Sequence, residues 1–407
     1  MSKIVLFNEK KDCCACGACM NICPKGAISM MEDETGFVYP HIDEEKCIEC
    51  GACKRVCSFQ NSVIENQPLK CYAAVNKSQE QIMKSASGGI FAAIAANVIN
   101  NGGVVYGVAL EFNNGQANPH HISIESMDEL YKLQGSKYVQ SFTEHSYKEI
   151  KEHLRNNRLV LFSGTPCQVD GLYGYLGKDY DNLITIDLIC HGVPSARMFN
   201  DYLQYKAKQQ GASEVIGYAF RDKSKGWGMN GRIDLRMPNG SKKSLYRPAR
   251  LESYNTYFLD GAIYRENCYT CKYACSRRTG DLTIGDYWGI ESEHPEIANN
   301  SNYNLEKGIS SIIVNSNKGK EILNNTQLNL ELIETKVSKI AKKNKQLNAP
   351  SKMPNNRTDI LNQYVKNNYE ALNDYFYKNY KKQLIVHKIF NSIPSNLRRK
   401  LKKIMGK

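Results

Sequence analysis

Residues 13–24 read CCACGACMNICP and residues 47–58 read CIECGACKRVCS, so the chain carries the spacing C-x2-C-x2-C-x3-C twice. The first run is followed by Pro24, the second by Ser58 in the same place. A C-x2-C-x2-C turn wraps three thiolates around one face of an iron–sulfur cubane. The next cysteine lies too far along the chain to close the same cluster, so it crosses to the other one. This logic assigns Cys13, Cys16, Cys19 and Cys57 to one 4Fe-4S centre, and Cys47, Cys50, Cys53 and Cys23 to a second. Gly17 and Gly51 relax the two turns. Zinc is the competing metal, but zinc ribbons pair two C-x2-C units across a longer gap and need no three-cysteine run. Cys14, between ligands, reads as a small packed or hydrogen-bonding residue and not as a ninth ligand.

This is the ligand spacing of bacterial ferredoxins, and it predicts an α+β ferredoxin-like module over residues 1–59. Residues 60–70 (QNSVIENQPLK) are polar, aperiodic and contain Pro68, the signature of a linker. With 407 residues there is room for two or three domains in all, and 42% hydrophobic residues exclude wholesale disorder. The opening MSKIVLFNEK has no apolar export core, and the longest largely apolar stretch, residues 90–99, is ten residues interrupted by Asn97. That is about half of the roughly 20 needed to span a bilayer. A cytoplasmic location is therefore expected, where 15 cysteines point to metal or redox chemistry more than to disulfides.

From residue 71 onward, short β-branched runs alternate with helical stretches, an α/β rhythm. Strands are predicted at 71–76 (CYAAVN), 104–110 (VVYGVAL), 159–164 (LVLFSG) and 183–190 (LITIDLIC). Helices are predicted from a Ser87 cap through Ile99, over 147–155, and after Pro166. Ligands in such folds gather at strand ends. Cys167 and Cys190 follow two of those strands, and Cys268, Cys271 and Cys275 lie together in NCYTCKYAC, so five cysteines from three stretches can converge on a third cluster.

The motifs SASGGIF (85–91), LQGSKYV (133–139), GTPCQ (164–168), ICHG (189–192), and CYTC (268–271) followed by GDLTIGDYWG (280–289) give the chain a family resemblance. It resembles the coenzyme F420 hydrogenase/dehydrogenase beta-subunit family over about residues 70–335, with the ferredoxin module as a fusion. The resemblance implies a larger α/β flavin-binding domain, FAD beside a 4Fe-4S cluster, and electron exchange with a hydride-accepting or hydride-donating partner. Carried over, it implies Cys167, Cys190, Cys268 and Cys271 as ligands of the third cluster. Cys275 is additional to that pattern and stands as an alternative ligand, most plausibly in place of Cys190.

Gly88 and Gly89, next to Ser87, would let backbone N–H groups approach a flavin phosphate, or else form a plain turn. Lys137 and Tyr138 in GSKY suit diphosphate pairing and ring stacking, or else are a solvated lysine beside a core tyrosine. The loop FRDKSKGWG (220–228) reads as a substrate lid or as an ordinary basic turn. Asp286, with Asp281 and Trp288, is expected near the third cluster as a proton relay or substrate ligand. His191 is the other candidate proton donor, against the simpler reading of a structural histidine.

The α/β body is expected to span residues 71–340, with a linker and basic amphipathic helical tail over 341–407. Of the net charge of +13, ten units lie in residues 376–407, which contain no acid. Such a segment suits an anionic membrane surface or an acidic partner, or packs as a terminal helix with a solvated basic face. Nothing in it resembles a base-reading motif, so nucleic acid is not an expected partner. The reading is an iron–sulfur flavoprotein oxidoreductase that passes ferredoxin electrons to a flavin and an organic substrate, coenzyme F420-like or other. The alternative is a non-catalytic relay subunit feeding a separate reductase, such as one acting in polysaccharide biosynthesis.

Overall fold

A computed structural model describes residues 4–61, 65–224, 226–300 and 302–393. The N-terminal module is α+β, as expected: an antiparallel pair, β1 (Ile28–Glu32) and β2 (Val38–Ile42), with short helices Ala18–Ile22 and Ala52–Arg55. Gly17 and Gly51 precede those helices at φ +81° and +69°, a left-handed conformation that glycine adopts without strain.

The larger body is built on an eight-stranded mixed sheet. Its strands are β3 (Lys70–Asn76), β4 (Val104–Asn113), β5 (Gln116–Ile124), β6 (Val160–Gly164), β7 (Leu183–Leu188), β11 (Leu282–Asp286), β12 (Ser310–Val314) and β13 (Leu330–Thr335). A separate antiparallel sheet of β8 (Glu214–Ala219), β9 (Asn230–Arg236) and β10 (Lys242–Pro248) interrupts that series. The large sheet runs in the order β13-β3-β12-β11-β7-β6-β4-β5, with β4, β6, β7 and β11 parallel to one another and the flanking pairs antiparallel. Strand alternation divides the core between its faces. Leu161 of β6 packs under helices Ile90–Asn100 and Asn317–Thr326, while Val160 and Phe162 face helices Ser146–Arg155 and Pro166–Leu176. Helix Pro166–Leu176 starts at a Thr165–Gln168 capping box with proline in its first turn and stops at Gly177, φ +70°.

Three expectations change. The strand expected to include Cys190 ends at Leu188, which leaves Cys190 in the connection beyond the sheet. Ser87 is not a helix cap, because Gly89, at φ +80°, fills that position. The 60–70 segment is no free linker. Asn66 forms an antiparallel bridge with Arg278, and Leu69 N–H donates to Val314 O, so the chain is stitched to the body as it leaves the first module.

The C-terminal stretch is helical, and it packs on the body as the terminal-helix alternative expects. Helix Arg357–Asn379, broken at Asn368, buries Ile360, Tyr364, Tyr369, Leu372 and Phe376 against helix Ala196–Gln209 and helix Ser253–Leu259. Large apolar side chains at helical spacing sought the nearest core, and the basic residues remained outside. Helix Lys381–Ser392 buries Leu384 and leaves Ile385, Val386 and Ile389 exposed beside Lys381, Lys382 and Lys388. The rest of the basic run, residues 394–407, lies outside the described residues, as does Lys225 of the 220–228 loop. Among the described residues no helix is long and apolar enough to cross a membrane.

Candidate functional site

The two N-terminal cysteine sets converge as the spacing requires. Cys13, Cys16, Cys19 and Cys57 line one cavity, with Phe7, Met30 and Phe59 among its apolar walls. Cys23, Cys47, Cys50 and Cys53 line a second, walled by Ile28, Ile42 and Ile48. Cys53 also borders the first cavity, so the two sites are adjacent. Backbone N–H groups already point at the sulfurs: Ala15 donates to Cys13 Sγ across 3.4 Å and Ala27 to Cys23 Sγ across 3.2 Å. Such donors stabilise thiolate charge and tune a bound cluster. The donor sets fit a cubane each. Among the described residues no group of three or more His, Cys, Asp or Glu is arranged to hold a metal ion.

The first cysteine set is inward. Cys14 and Cys16 are buried in the same core as Phe162, Val169 and Leu172 of the large domain, whereas Cys50 of the second set is exposed. Hydrogen bonds fasten this contact. Thr143 Oγ1 donates to Cys16 O across 2.9 Å, Asn21 Nδ2 to Glu144 O across 2.8 Å, Ser58 Oγ to Asp170 O across 2.9 Å, and Lys272 Nζ to Phe59 O. Glycines make the approach close enough. A Cβ on Gly171 would lie 2.7 Å from Cys16 Sγ, and one on Gly174 would lie 2.4 Å from Val56 O.

Directly behind that contact lies the third cysteine group. Cys167 sits in the first turn of helix Pro166–Leu176, Cys190 just past β7, and Cys268 and Cys271 on the loop before β11. Each of Cys190, Cys268 and Cys271 is close enough to Cys167 for the sulfur charges to act on one another. Burial first, and those neighbours next, push the Cys190 thiol to about 12 and the Cys271 thiol to about 11. Crowded thiols of this kind ionise together only when metal supplies the compensating charge. Cys14 joins this group to the first one: it packs in the same core as Cys16 and Cys167 and is the leading cause lowering the pKa of each. Thr165 Oγ1 lies 3.2 Å from Cys167 Sγ as a further hydrogen-bond partner.

Cys275 is not brought into the group. Its thiol turns to the carbonyls of Lys272 (3.8 Å) and Arg277 (3.1 Å). The loop is pinned by Arg278, a residue to which no sequence motif drew attention. Its buried guanidinium pairs with Asp187 at 2.8 Å and donates to Leu188 O and Tyr273 O, both at 2.8 Å. That clamp holds the end of β7, and so Cys190, against the Cys268–Cys271 loop.

A polar and aromatic site lies at the C-terminal end of β11. Arg221 pairs with Asp286 at 2.8 Å, donates to Tyr138 OH at 3.1 Å, and lies over Trp227 and Trp288, whose rings stack at 4.5 Å. These are the only two tryptophans of the chain. Lys223 Nζ donates to Ile82 O and Ser87 O, and burial, aided by Arg221, brings its amine down to about 7.

Several expected roles are altered here. Both oxygens of Asp286 face Arg221, so its carboxylate is engaged as an ion-pair acceptor and is not poised as a proton donor. Asp281 is buried away from this site and accepts from Thr185 and Ser316. Lys137 is not a free cation: its amine donates to Lys132 O and Gln134 O, and burial lowers it to about 7. Tyr138 stacks on Phe258 at 4.7 Å. Gly88 gives its N–H to Ser310 Oγ at 2.9 Å. Its lack of a side chain is needed because a Cβ would lie 2.5 Å from Ala74 O. His191 is exposed at the surface, yet desolvation holds its imidazole below the usual value, with Asp286 acting in the opposite direction. Two buried polar atoms of this neighbourhood, Ser87 Oγ and Trp227 Nε1, have no hydrogen-bond partner.

Residues 12–61 match the family model described as "4Fe-4S dicluster domain". Residues 157–339 match the model for the C terminus of the coenzyme F420 hydrogenase/dehydrogenase beta chain. Among solved structures, a chain of the F420-reducing [NiFe] hydrogenase complex from Methanosarcina barkeri is 14% identical, over 74% of this chain and 94% of that chain, with a TM-score of 0.39. No curated protein matches the chain. The second match contains Cys167, Cys190, Cys268 and Cys271, and the first contains both N-terminal cysteine runs. The chain thus joins an N-terminal 4Fe-4S dicluster domain to a region that matches the C terminus of the coenzyme F420 hydrogenase/dehydrogenase beta subunit, the make-up of an electron-transfer oxidoreductase.

Proposed function

We propose that the chain is a cytoplasmic iron–sulfur flavoprotein in which the exposed second cluster site, the buried first one and a third 4Fe-4S site form a line toward a flavin. The observation that supports this reading is that Cys14, Cys16 and Cys57 of the first module pack in one core with Cys167 and Cys271, so the first and third cysteine groups are neighbours. When bound, the clusters carry single electrons and a flavin, FAD in this reading, joins pairs of them to hydride chemistry on an organic substrate. Cys167, Cys190, Cys268 and Cys271 would hold the third cluster.

Ser87 and Trp227, with unpartnered buried polar atoms, fit the flavin or its substrate, and the Trp227–Trp288 pair offers a flat apolar wall beside Arg221. Arg221 orients the wall and Asp286 neutralises it. The module boundaries that suit this reading are 1–59 for the ferredoxin unit and 71–340 for the flavin domain, with helix Arg357–Asn379 belonging to the same body. Its fifteen free cysteines suit a reducing compartment. A redox protein or a small hydride acceptor is the expected partner.

Anaerobic purification with iron, sulfide and flavin assays tests the reading. About twelve irons and one flavin per chain support it, by four irons to each cubane. About eight irons without flavin would leave a ferredoxin relay that feeds a separate reductase.

A further inference from the structure

Arg265 is wholly buried, with 0% of its surface exposed. Its Nε donates to Cys13 O at 3.1 Å, its Nη1 to Val38 O at 2.7 Å, and its guanidinium lies 4.0 Å from the centre of the Tyr39 ring. Nη2 is buried with no partner. The arginines Arg221 and Arg278, with side chains 1% and 2% exposed, each pair with an acid, Asp286 and Asp187. Among the described residues no carboxylate pairs with Arg265.

An arginine cannot shed its proton to escape this position, as a lysine can. A buried guanidinium without a counter-charge is strongly unfavourable, so the site demands an anion. The charge acts on two sulfurs, Cys13 of the first set and Cys167 of the third, and it favours the thiolate of each. A cubane held by four thiolates is itself an anion and gains a further negative charge on reduction.

We propose that Arg265 is the charge-compensating positioning residue shared by the cluster site of Cys13, Cys16, Cys19 and Cys57 and the third site, raising the reduction potential of both. Its unpaired N–H is the donor left for a cluster. The half that concerns the third site rests on the reading given under Proposed function, whereas the half that concerns Cys13 rests on the dicluster domain alone. The second N-terminal site, of Cys23, Cys47, Cys50 and Cys53, is the internal control, because the contacts of the Arg265 guanidinium are with Cys13, Val38 and Tyr39 and with none of those four.

The test uses the full-length chain, purified anaerobically, with Arg265→Met and Arg265→Lys variants, iron counts, and redox titrations followed by EPR. In Arg265→Met the potentials of the first and third clusters should move to more negative values while that of the second stays put, and Arg265→Lys should recover part of the shift. Loss of the first cluster's iron in Arg265→Met but not in Arg265→Lys also supports the charge role. Unchanged potentials with iron retained, an equal shift of all three clusters, or equal iron loss in both variants would overturn it. If the unmutated protein holds about eight irons, the third-cluster reading fails separately, and the comparison of first with second cluster still decides for Arg265.

Discussion

Arg221 Nη1 lies 2.8 Å from Asp286 Oδ2, with Nη2 on the other carboxylate oxygen at 3.3 Å, so each side chain is the other's counter-ion. Their side chains are 1% and 14% exposed. Removing one member leaves the other charged in a poor solvent, a cost of about 3–5 kcal/mol. Asp286→Ala should therefore lower the urea midpoint by that equivalent. The double variant Arg221→Met/Asp286→Ala should be more stable than Asp286→Ala alone. If the double variant is the weaker of the two, the carboxylate is held for something other than Arg221.

Lys223 makes stability depend on pH. Its amine is lowered from 10.5 to about 7 by burial and by Arg221, and two carbonyls accept its hydrogens, which a neutral amine can satisfy. Between about 7 and 10.5 the unfolded chain holds a proton that the folded chain has lost, so this group's contribution to stability rises with pH across that window and levels off above it. Below it both states are charged and the burial penalty is fully felt. Relative to Lys223→Met, the unmutated protein should gain up to about 1.4 kcal/mol per pH unit. Urea titrations of both proteins across the window measure the difference, and parallel curves would contradict the assignment.

Iron content should separate the five cysteines of the large domain. Cys268→Ser and Cys271→Ser should each lose about four irons. Cys275→Ser should lose none, because its thiol is turned to the Arg277 carbonyl. Equal losses in all three would return Cys275 to the ligand set.

Gly171 lies inside a helix, where alanine would ordinarily stabilise by up to about 1 kcal/mol. At this position the sign should reverse, since the new Cβ would lie 2.7 Å from both Cβ and Sγ of Cys16. Gly171→Ala is expected to lower the thermal midpoint and to weaken iron retention in the first cluster ahead of the second. Gly177→Ala is no control because of its positive φ, but Gly285→Ala, which would crowd Ile189 instead, separates a sulfur-specific effect from general crowding.

The strands were legible because their signal is local. The β6 and β7 segments are continuous apolar runs, as strands covered on both faces must be, and the structure moves their ends by only one or two residues. The three-stranded sheet β8 to β10 was not legible. β9 alternates, with Ile233 and Leu235 buried between Arg232, Asp234 and Arg236, but β8 and β10 are largely half-buried or exposed and show no such period, and the 220–228 loop was visible only as a basic turn. Nor did the sequence reveal that Phe376, in the most basic part of the chain, is core. Charge dominates composition there, while packing depends on which face meets helix Ser253–Leu259.

Two spaced runs of cysteine by themselves pointed to a 4Fe-4S dicluster domain and to crossed ligand sets, because a cubane's size dictates the spacing of thiolates along a short turn. Only the tertiary structure decided which of the remaining cysteines meet, that Cys14 stands between two groups, and that Arg265 has no acid to answer it. Those facts concern residues hundreds of positions apart, such as Cys13 and Arg265, that approach only after the sheet has formed and the first module has docked on helix Pro166–Leu176. Burial then removes the water that would otherwise screen a charge or fill a hydrogen bond, so which groups must answer one another depends on what has been brought together in the folded interior.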